Sequence, residues 1–350
     1  MRLADRIAQC RTPFIVENAK DGASTHLNNA AAFANDINGC ATRYVLSDEL
    51  VRLCTALAYS KGASALACAD LLHVPAARVW VEWAEAPWRN ELARYGFDRP
   101  VDSPGCGRRG VFIQSTPQGR RGLLRTFWAD GESELQVLSS SMEAYFDFDA
   151  EEGEDPQGFG RQQAPSICVT DSAIGDADIL RRCFRFRFER SWQDYYARAE
   201  LTPVQATALA RHALGTIAID IPVMLAFFLL LATRPGLPRR PLMLERLNKA
   251  RARSGKAALL EQIEVFAPLL PEYRCGGGSV SEASRRACRL HHVRGHLVRR
   301  GSKLFWRVPH LRGNARAGNI RSRTVTWQFD PSGSSARVSG NPESAAAHMS

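Results

Sequence analysis

The chain has 350 residues, enough for two ordinary domains and for a core that needs no cross-links. With 45% hydrophobic and 23% charged residues it has a globular composition, which excludes a disordered chain. The net charge of +10 is regional: residues 234–327 hold 21 Lys and Arg against 5 Asp and Glu, leaving 25 against 31 elsewhere.

Residues 1–18 break their apolar positions with Arg2, Asp5, Arg6 and Arg11, so no signal-peptide core is expected there. Nine cysteines, scattered and without a CxxC pair, predict free thiols in a reducing compartment, and hence a cytoplasmic protein. From residue 30 to 97 the pattern is mainly helical: Leu50, Leu53 and Leu57 recur on one helix face, and the aromatic segment 79–83 interrupts the run. Pro, Ser, Gly and Cys mark a loop over 100–110, after which the period changes to two.

Candidate strands follow at 110–115, 122–128, 135–138, 144–148 and 167–169, with connections short enough to favour antiparallel pairing. The acidic stretch 147–158, with Asp149, Glu151, Glu152, Glu154 and Asp155, reads as a solvated loop; a carboxylate metal site is an alternative that the spacing does not demand. Residues 183–190 alternate cleanly, with Phe184, Phe186 and Phe188 on one face and Arg185, Arg187 and Glu189 on the other. Helices are expected over 192–232, where Thr202 caps and Pro203 takes the first turn. Their most apolar part, 223–232, is too short for a bilayer and predicts a buried helix, with no membrane association. A further helix is predicted over 242–256 with Gly255 as its stop. A Gly/Ser linker at 275–284, alternating runs at 303–308 and 324–329, and a Ser/Gly/Ala-rich tail complete the chain.

These elements predict an α+β fold: a mainly helical region 1–100, an α+β core 101–270 with an antiparallel sheet and a buried apolar helix, a small basic β-module 271–330, and a disordered tail 331–350. On the helix 242–256, Arg246, Lys249, Arg253 and Lys256 fall three, four and three apart and share a face. Such a face suits phosphates or carboxylates, or simply keeps the protein soluble. The basic residues continue through Arg285, Arg286, Arg289, Arg294, Arg299, Arg300, Lys303, Arg307, Arg312, Arg316, Arg321 and Arg323. Phe305, Trp306 and Trp327 lie among them, a mixture that fits nucleic acid and, for the cations, an acidic protein surface.

Four of the eight histidines, His291, His292, His296 and His310, lie within twenty residues. Cys275, Cys288, His291 and His296 could form a zinc site, although Cys275 lies across the linker and no CxxC is present. His296 as a general base among arginines would suit a nuclease, but no carboxylate for a magnesium ion lies nearby. The preferred account gives these side chains structural hydrogen bonds in the β-module and binding to the outer arginines, with no cofactor, metal or catalytic residue. No phosphate loop, dinucleotide fingerprint, nucleophile elbow or HExxH helix occurs.

Three blocks also carry a likeness. They are Ala86-Pro87-Trp88-Arg89-Asn90 leading to Val111-Phe112-Ile113; the basic run 247–256; and His292-Val293-Arg294-Gly295-His296 with Phe305-Trp306 and Arg312-Gly313. Together they resemble proteins of phages, prophages and mobile elements, a group that includes an anti-CRISPR protein directed against the type V-A effector nuclease. The likeness covers residues 80–115 and 220–327 and is strongest at 244–256 and 291–313. It implies a mobile-element origin and inhibition of a CRISPR effector. The expectation is therefore an interaction protein that docks its basic surface, including His292, Arg294, His296, Arg299, Arg300, Trp306, Arg307 and Arg312, on an acidic protein or ribonucleoprotein. The alternative is a nucleic-acid-binding protein or nuclease of phage metabolism.

Overall fold

The computed structural model describes residues 2–9, 14–17, 24–27, 30–59, 66–96, 107–129, 137–150, 177–190, 192, 202–233, 236–268, 289–293, 296–300, 303–307, 310–312 and 314–319. Along the chain these form α1 (Leu3–Gln9), β1 (Phe14–Glu17), β2 (Ser24–Leu27), α2 (Ala30–Asn38), β3 (Thr42–Leu46) and α3 (Asp48–Tyr59). After a 3-10 helix (Leu66–Leu71) come β4 (Arg78–Ala84), α4 (Glu85–Ala93), β5 (Arg108–Ser115), β6 (Arg121–Ala129), β7 (Leu138–Ser139) and β8 (Met142–Asp147). Next are α5 (Ala177–Cys183), β9 (Phe184–Phe188), α6 (Pro203–Ala218), α7 (Ile221–Leu231), β10 (Arg239–Pro241), α8 (Glu245–Arg253) and β11 (Ile263–Val265). Five short strands close the described chain: β12 (Arg289–Val293), β13 (His296–Arg300), β14 (Lys303–Arg307), β15 (His310–Arg312) and β16 (Asn314–Asn319).

The fold is mixed α/β around one large sheet of order β10-β11-β3-β4-β5-β6-β8-β9, with β7 paired to β6. The sheet is mixed and not purely antiparallel as the sequence suggested, because β3 pairs parallel to both β4 and β11. Parallel neighbours need a crossover, and α3 supplies one between β3 and β4. The described residues of 1–100 hold more helix than strand, as expected, but β3 and β4 belong to the same sheet as β5 and β6. Five-residue β3 is too short to show a period and was hidden between two helical patterns. The strands expected at 110–115, 122–128, 144–148 and 183–190 appear within two residues of those bounds; of 135–138, Leu138 lies in β7 (Leu138–Ser139) and 135–136 fall outside the described residues. The expected strands 167–169 and 324–329, the linker 275–284 and the tail lie outside the described residues, as does the acidic stretch from 151 onward.

Contacts divide the chain into two compact units. One comprises Met1–Leu269 with Leu297–Trp306, and the other Leu270–His296 with Arg307–Ser350. In the first unit the register sets which side chains share a face of the sheet. Trp80, Phe112 and Phe127 lie on one face, where they pack with Leu3, Ala4 and Ile7 of α1 and Phe33 and Ile37 of α2. Gly110 of β5 sits opposite Glu82 on that face, and a Cβ there would fall 2.2 Å from the Trp80 ring, so only glycine lets the indole lie flat. The other face carries Val79, Val81, Val111 and Ile113, all fully buried, and is covered by α3, α4, α6 and α7. Tyr44 of β3 meets Phe227 of α7 edge to face at 5.5 Å.

Helix α7 is the most apolar element, and Ile221 through Leu230 are all buried, each large side chain contributing about 1.5–3 kcal/mol. The longer run Ala213–Leu231 is apolar enough to cross a membrane by length and composition alone, and 83% of it is buried inside the protein. Helix α6 starts as its sequence dictates. Thr202 and Gln205 form a reciprocal capping box, and Pro203 fills the first turn. In the second unit, β15, β12 and β16 form a three-stranded sheet.

Candidate functional site

The fold buries two charged clusters against the sheet, one on each face, each built on an arginine–carboxylate pair. Consecutive residues of a strand point to opposite faces, so the Arg108-Arg109 pair that opens β5 sends one guanidinium each way. On the α1 face, Arg108 is bonded to Glu82, whose fully buried carboxylate also accepts Leu3 N at 2.9 Å, Ala4 N at 3.0 Å and Trp80 Nε1 at 3.1 Å. Burial pushes the Glu82 pKa up, but Arg108 and the two backbone N–H groups outweigh it and hold the carboxyl below its ordinary value.

On the opposite face Arg109 makes a bidentate pair with Asp220, Nε to Oδ1 at 2.9 Å and Nη2 to Oδ2 at 2.8 Å. Its guanidinium lies 4.6 Å over the Trp88 ring, and Glu85 stands 3.7 Å away. Burial lowers the Arg109 pKa, and Asp220 and then Glu85 more than restore it. These two clusters hold α1, α4 and the α6–α7 junction to the sheet; with their charges enclosed and paired they are structural, not reactive.

Glu91 of α4 is a further buried acid, with Oε2 3.2 Å from Arg94 and Oε1 without a hydrogen-bond partner. Burial raises its pKa to about 7, against the opposing pull of Arg94 and Arg52. A carboxyl whose folded pKa lies above its unfolded value binds extra protons in the native state, so stability falls as pH rises from about 4.5 towards 7. Glu91→Gln should flatten that slope and stabilise the protein at pH 8 by an amount on the order of 2 kcal/mol. Urea unfolding of both proteins at pH 5 and pH 8 checks it; equal slopes would refute it.

The four described thiols are poor candidates for chemistry. Cys40, Cys54, Cys68 and Cys183 are free. Burial raises the pKa of all four, that of Cys40 to about 12 and that of Cys183 to about 11. Among the described residues no group of three or more His, Cys, Asp or Glu is placed to hold a metal. For the zinc set, Cys275, Cys288 and the imidazoles of His291 and His296 lie outside the described atoms.

The exposed cations of α8 are a different kind of site. The helix lies in the connection between β10 and β11, an antiparallel pair at one edge of the sheet, and Leu242 N bonds Gln262 O across its base. None of its residues is buried. It is fastened on one polar side only. Asn248 gives and takes a hydrogen bond with the Leu259 backbone, at 2.9 and 2.8 Å, and Arg251 Nε donates to Ala257 O at 2.8 Å. Beyond, Gln9 and Asp5 of α1 bond the backbone of Ala258 and Leu260.

Arg246, Lys249 and Arg253 share an exposed side of α8, as their spacing predicts. Lys256 does not extend that row. The helix ends at Arg253, Gly255 takes φ +67°, and Gly255 N and Lys256 N close back on Ala252 O and Arg251 O, which turns the chain away. Lys249 pairs with Glu245 at 2.8 Å, but both are solvated, so the pair contributes little and leaves the ammonium accessible. Arg246, Arg253 and Lys256 have no ion pair among the described residues.

The remaining predicted residues are distributed over the C-terminal strands. Arg299 is bidentate to Asp70, at 2.8 and 2.5 Å, so it ties β13 to the 3-10 helix and is not an unpaired docking cation. Arg300, Lys303 and Arg307 are exposed, and Phe305 and Trp306 half-buried, on β13 and β14, which form a two-stranded sheet. His291 pairs with Arg312 and His292 with Leu311 across β12 and β15. Arg294 lies outside the described residues, as do the side chains of His292, His296 and Arg312.

Comparison with known proteins decides nothing further. No protein-family model, curated protein or solved structure matches this chain. The site therefore stands on its own chemistry, and the sequence reading missed three residues that organise the molecule: Arg108, Arg109 and Asp220. The signal was there, as two charges opening an apolar strand and one acid inside an apolar run.

Proposed function

We propose that the protein is a non-enzymatic interaction protein of a phage or mobile element that docks a basic surface on an acidic protein or ribonucleoprotein target, such as a CRISPR effector. The observation that carries this is α8: a helix with no buried residue, fastened by one polar side, that presents Arg246, Lys249 and Arg253 to solvent. Holding three cations together on a fixed helix costs electrostatic repulsion, which an acidic partner relieves. The likeness to mobile-element proteins, strongest at residues 244–256, supports the same reading. The described free thiols, three of the four buried, suit a cytoplasmic setting.

The test uses purified type V-A effector–guide complex. The triple variant Arg246→Glu, Lys249→Glu, Arg253→Glu should weaken binding by about a hundredfold or more if each lost contact is worth about 1 kcal/mol. Its unfolding free energy should stay within about 0.5 kcal/mol of wild type, because no buried side chain changes. Binding of wild type and variant with equal affinity would exclude α8 as the docking surface.

A second reading is nucleic-acid binding, favoured by Phe305 and Trp306 between Arg300 and Lys303 and the end of β14. It predicts an affinity for single-stranded DNA or RNA that falls steeply with salt and drops on Trp306→Ala.

A further inference from the structure

We propose that α8 and the turn entering it form a docking ridge for a protein segment that is both acidic and apolar, with Met243 and Leu247 as anchors and Arg246, Lys249 and Arg253 as the charged rim. This rests on the docking reading above and names the chemistry of the partner.

The ridge is built the wrong way round for a surface helix. An ordinary amphipathic helix turns its apolar stripe to the core and its polar face to water. Here Asn248 and Arg251, two polar residues, hold the helix to the chain, and the apolar side faces out. Met243 is 87% exposed and Leu247 is 48% exposed. The described residues include only three exposed large hydrophobics, and two of them are this pair, four residues apart. With exposed Ala250 they form one stripe at i, i+4, i+7, and Arg246, Lys249 and Arg253 form the row beside it.

Charge and shape narrow the occupant. A polyanion such as nucleic acid satisfies the cations but offers a methionine and a leucine nothing apolar to cover them. A second copy of the chain would bring the basic row against itself, which like charges oppose. An anionic bilayer would need a longer apolar face with aromatic anchors, and the stripe has neither. What remains is a protein element with apolar side chains rimmed by Asp or Glu. A helix of nine residues is about 13 Å long, so it contacts about two to three turns of a partner helix.

Fluorescence anisotropy on the full chain tests this with labelled synthetic peptides. One is a helical peptide with Leu at i, i+3, i+4, i+7 and Glu at the flanking positions; the second is its scramble, equal in composition and charge. The patterned peptide should bind about tenfold or more tighter than the scramble. Met243→Asp with Leu247→Asp should erase that difference, and Arg246→Glu with Lys249→Glu and Arg253→Glu should weaken both peptides. If patterned and scrambled peptides bind wild type equally, or Met243→Asp with Leu247→Asp changes nothing, the apolar ridge is refuted and the basic docking surface survives. If neither peptide binds, the docking reading itself falls. Tighter binding of a single-stranded DNA 20-mer or of phosphatidylglycerol vesicles, lost on Met243→Asp with Leu247→Asp, would overturn the protein partner.

Discussion

Asp220→Ala should destabilise the protein by about 3–5 kcal/mol, because it strips a buried guanidinium of its bidentate partner. The side chains of Arg109 and Asp220 are 8% and 1% exposed, so water cannot replace the lost carboxylate. Glu85 at 3.7 Å is the only other acid close to Arg109 among the described residues, and it is already bonded to Arg89 at 2.8 Å. The loss is structural as well as electrostatic. Asp220 sits at the break between α6 and α7, and Arg109 also reaches Thr216 O at 3.3 Å, so the pair fixes where the two helices meet over β5.

The neutral double variant Arg109→Met, Asp220→Leu should recover at least half of that cost, since a paired charge replaced by apolar groups leaves nothing uncompensated. Guanidinium-chloride unfolding of wild type, both single variants and the double gives the coupling energy directly. A single-variant cost below about 1 kcal/mol, or additive single effects, would show that Glu85 and the Trp88 ring hold Arg109 without Asp220.

The elements most legible in the sequence were those whose pattern is local. The capping box at Thr202 and Gln205, the apolar run of α7, the alternation of β9 and the stop at Gly255 each depend on neighbours in sequence, and each appears where its residues put it. What the pattern could not supply was pairing. Whether β3 lies beside β4 or β11, and in which direction, is decided by contacts between residues far apart in the chain. The site divided in the same way. The row of Arg246, Lys249 and Arg253 follows from helical spacing alone, but the outward turn of Met243 and Leu247 depends on Asn248 gripping Leu259, which no periodicity reveals. Arg299 was legible only as one cation among many; its neutralisation by Asp70 is a contact across most of the chain.

Glu82→Gln should cost about 3–5 kcal/mol at pH 7, with the damage centred on α1. The carboxylate performs three tasks at once: it neutralises Arg108, it accepts the first backbone N–H groups of α1, and it accepts Trp80 Nε1. A glutamine keeps the volume and one acceptor oxygen, but it presents an NH₂ to donors and leaves Arg108 without its buried counter-charge. Helix α1 carries Leu3, Ala4 and Ile7 into the core beside Trp80 and Phe112, so loosening its first turn opens that cluster. Amide hydrogen exchange should therefore rise first at residues 3–9, ahead of β4 and β5. The pH dependence has a fixed sign. Because the folded pKa of Glu82 lies below its unfolded value of 4.5, its contribution is complete above that value and is lost as pH falls through the folded pKa. The wild type should thus lose stability in acid more steeply than Glu82→Gln, and the two unfolding curves should converge as the pH falls through the folded pKa. If the gap between them at pH 7 stays constant through acid unfolding, the cost comes from packing around the amide and not from the missing charge.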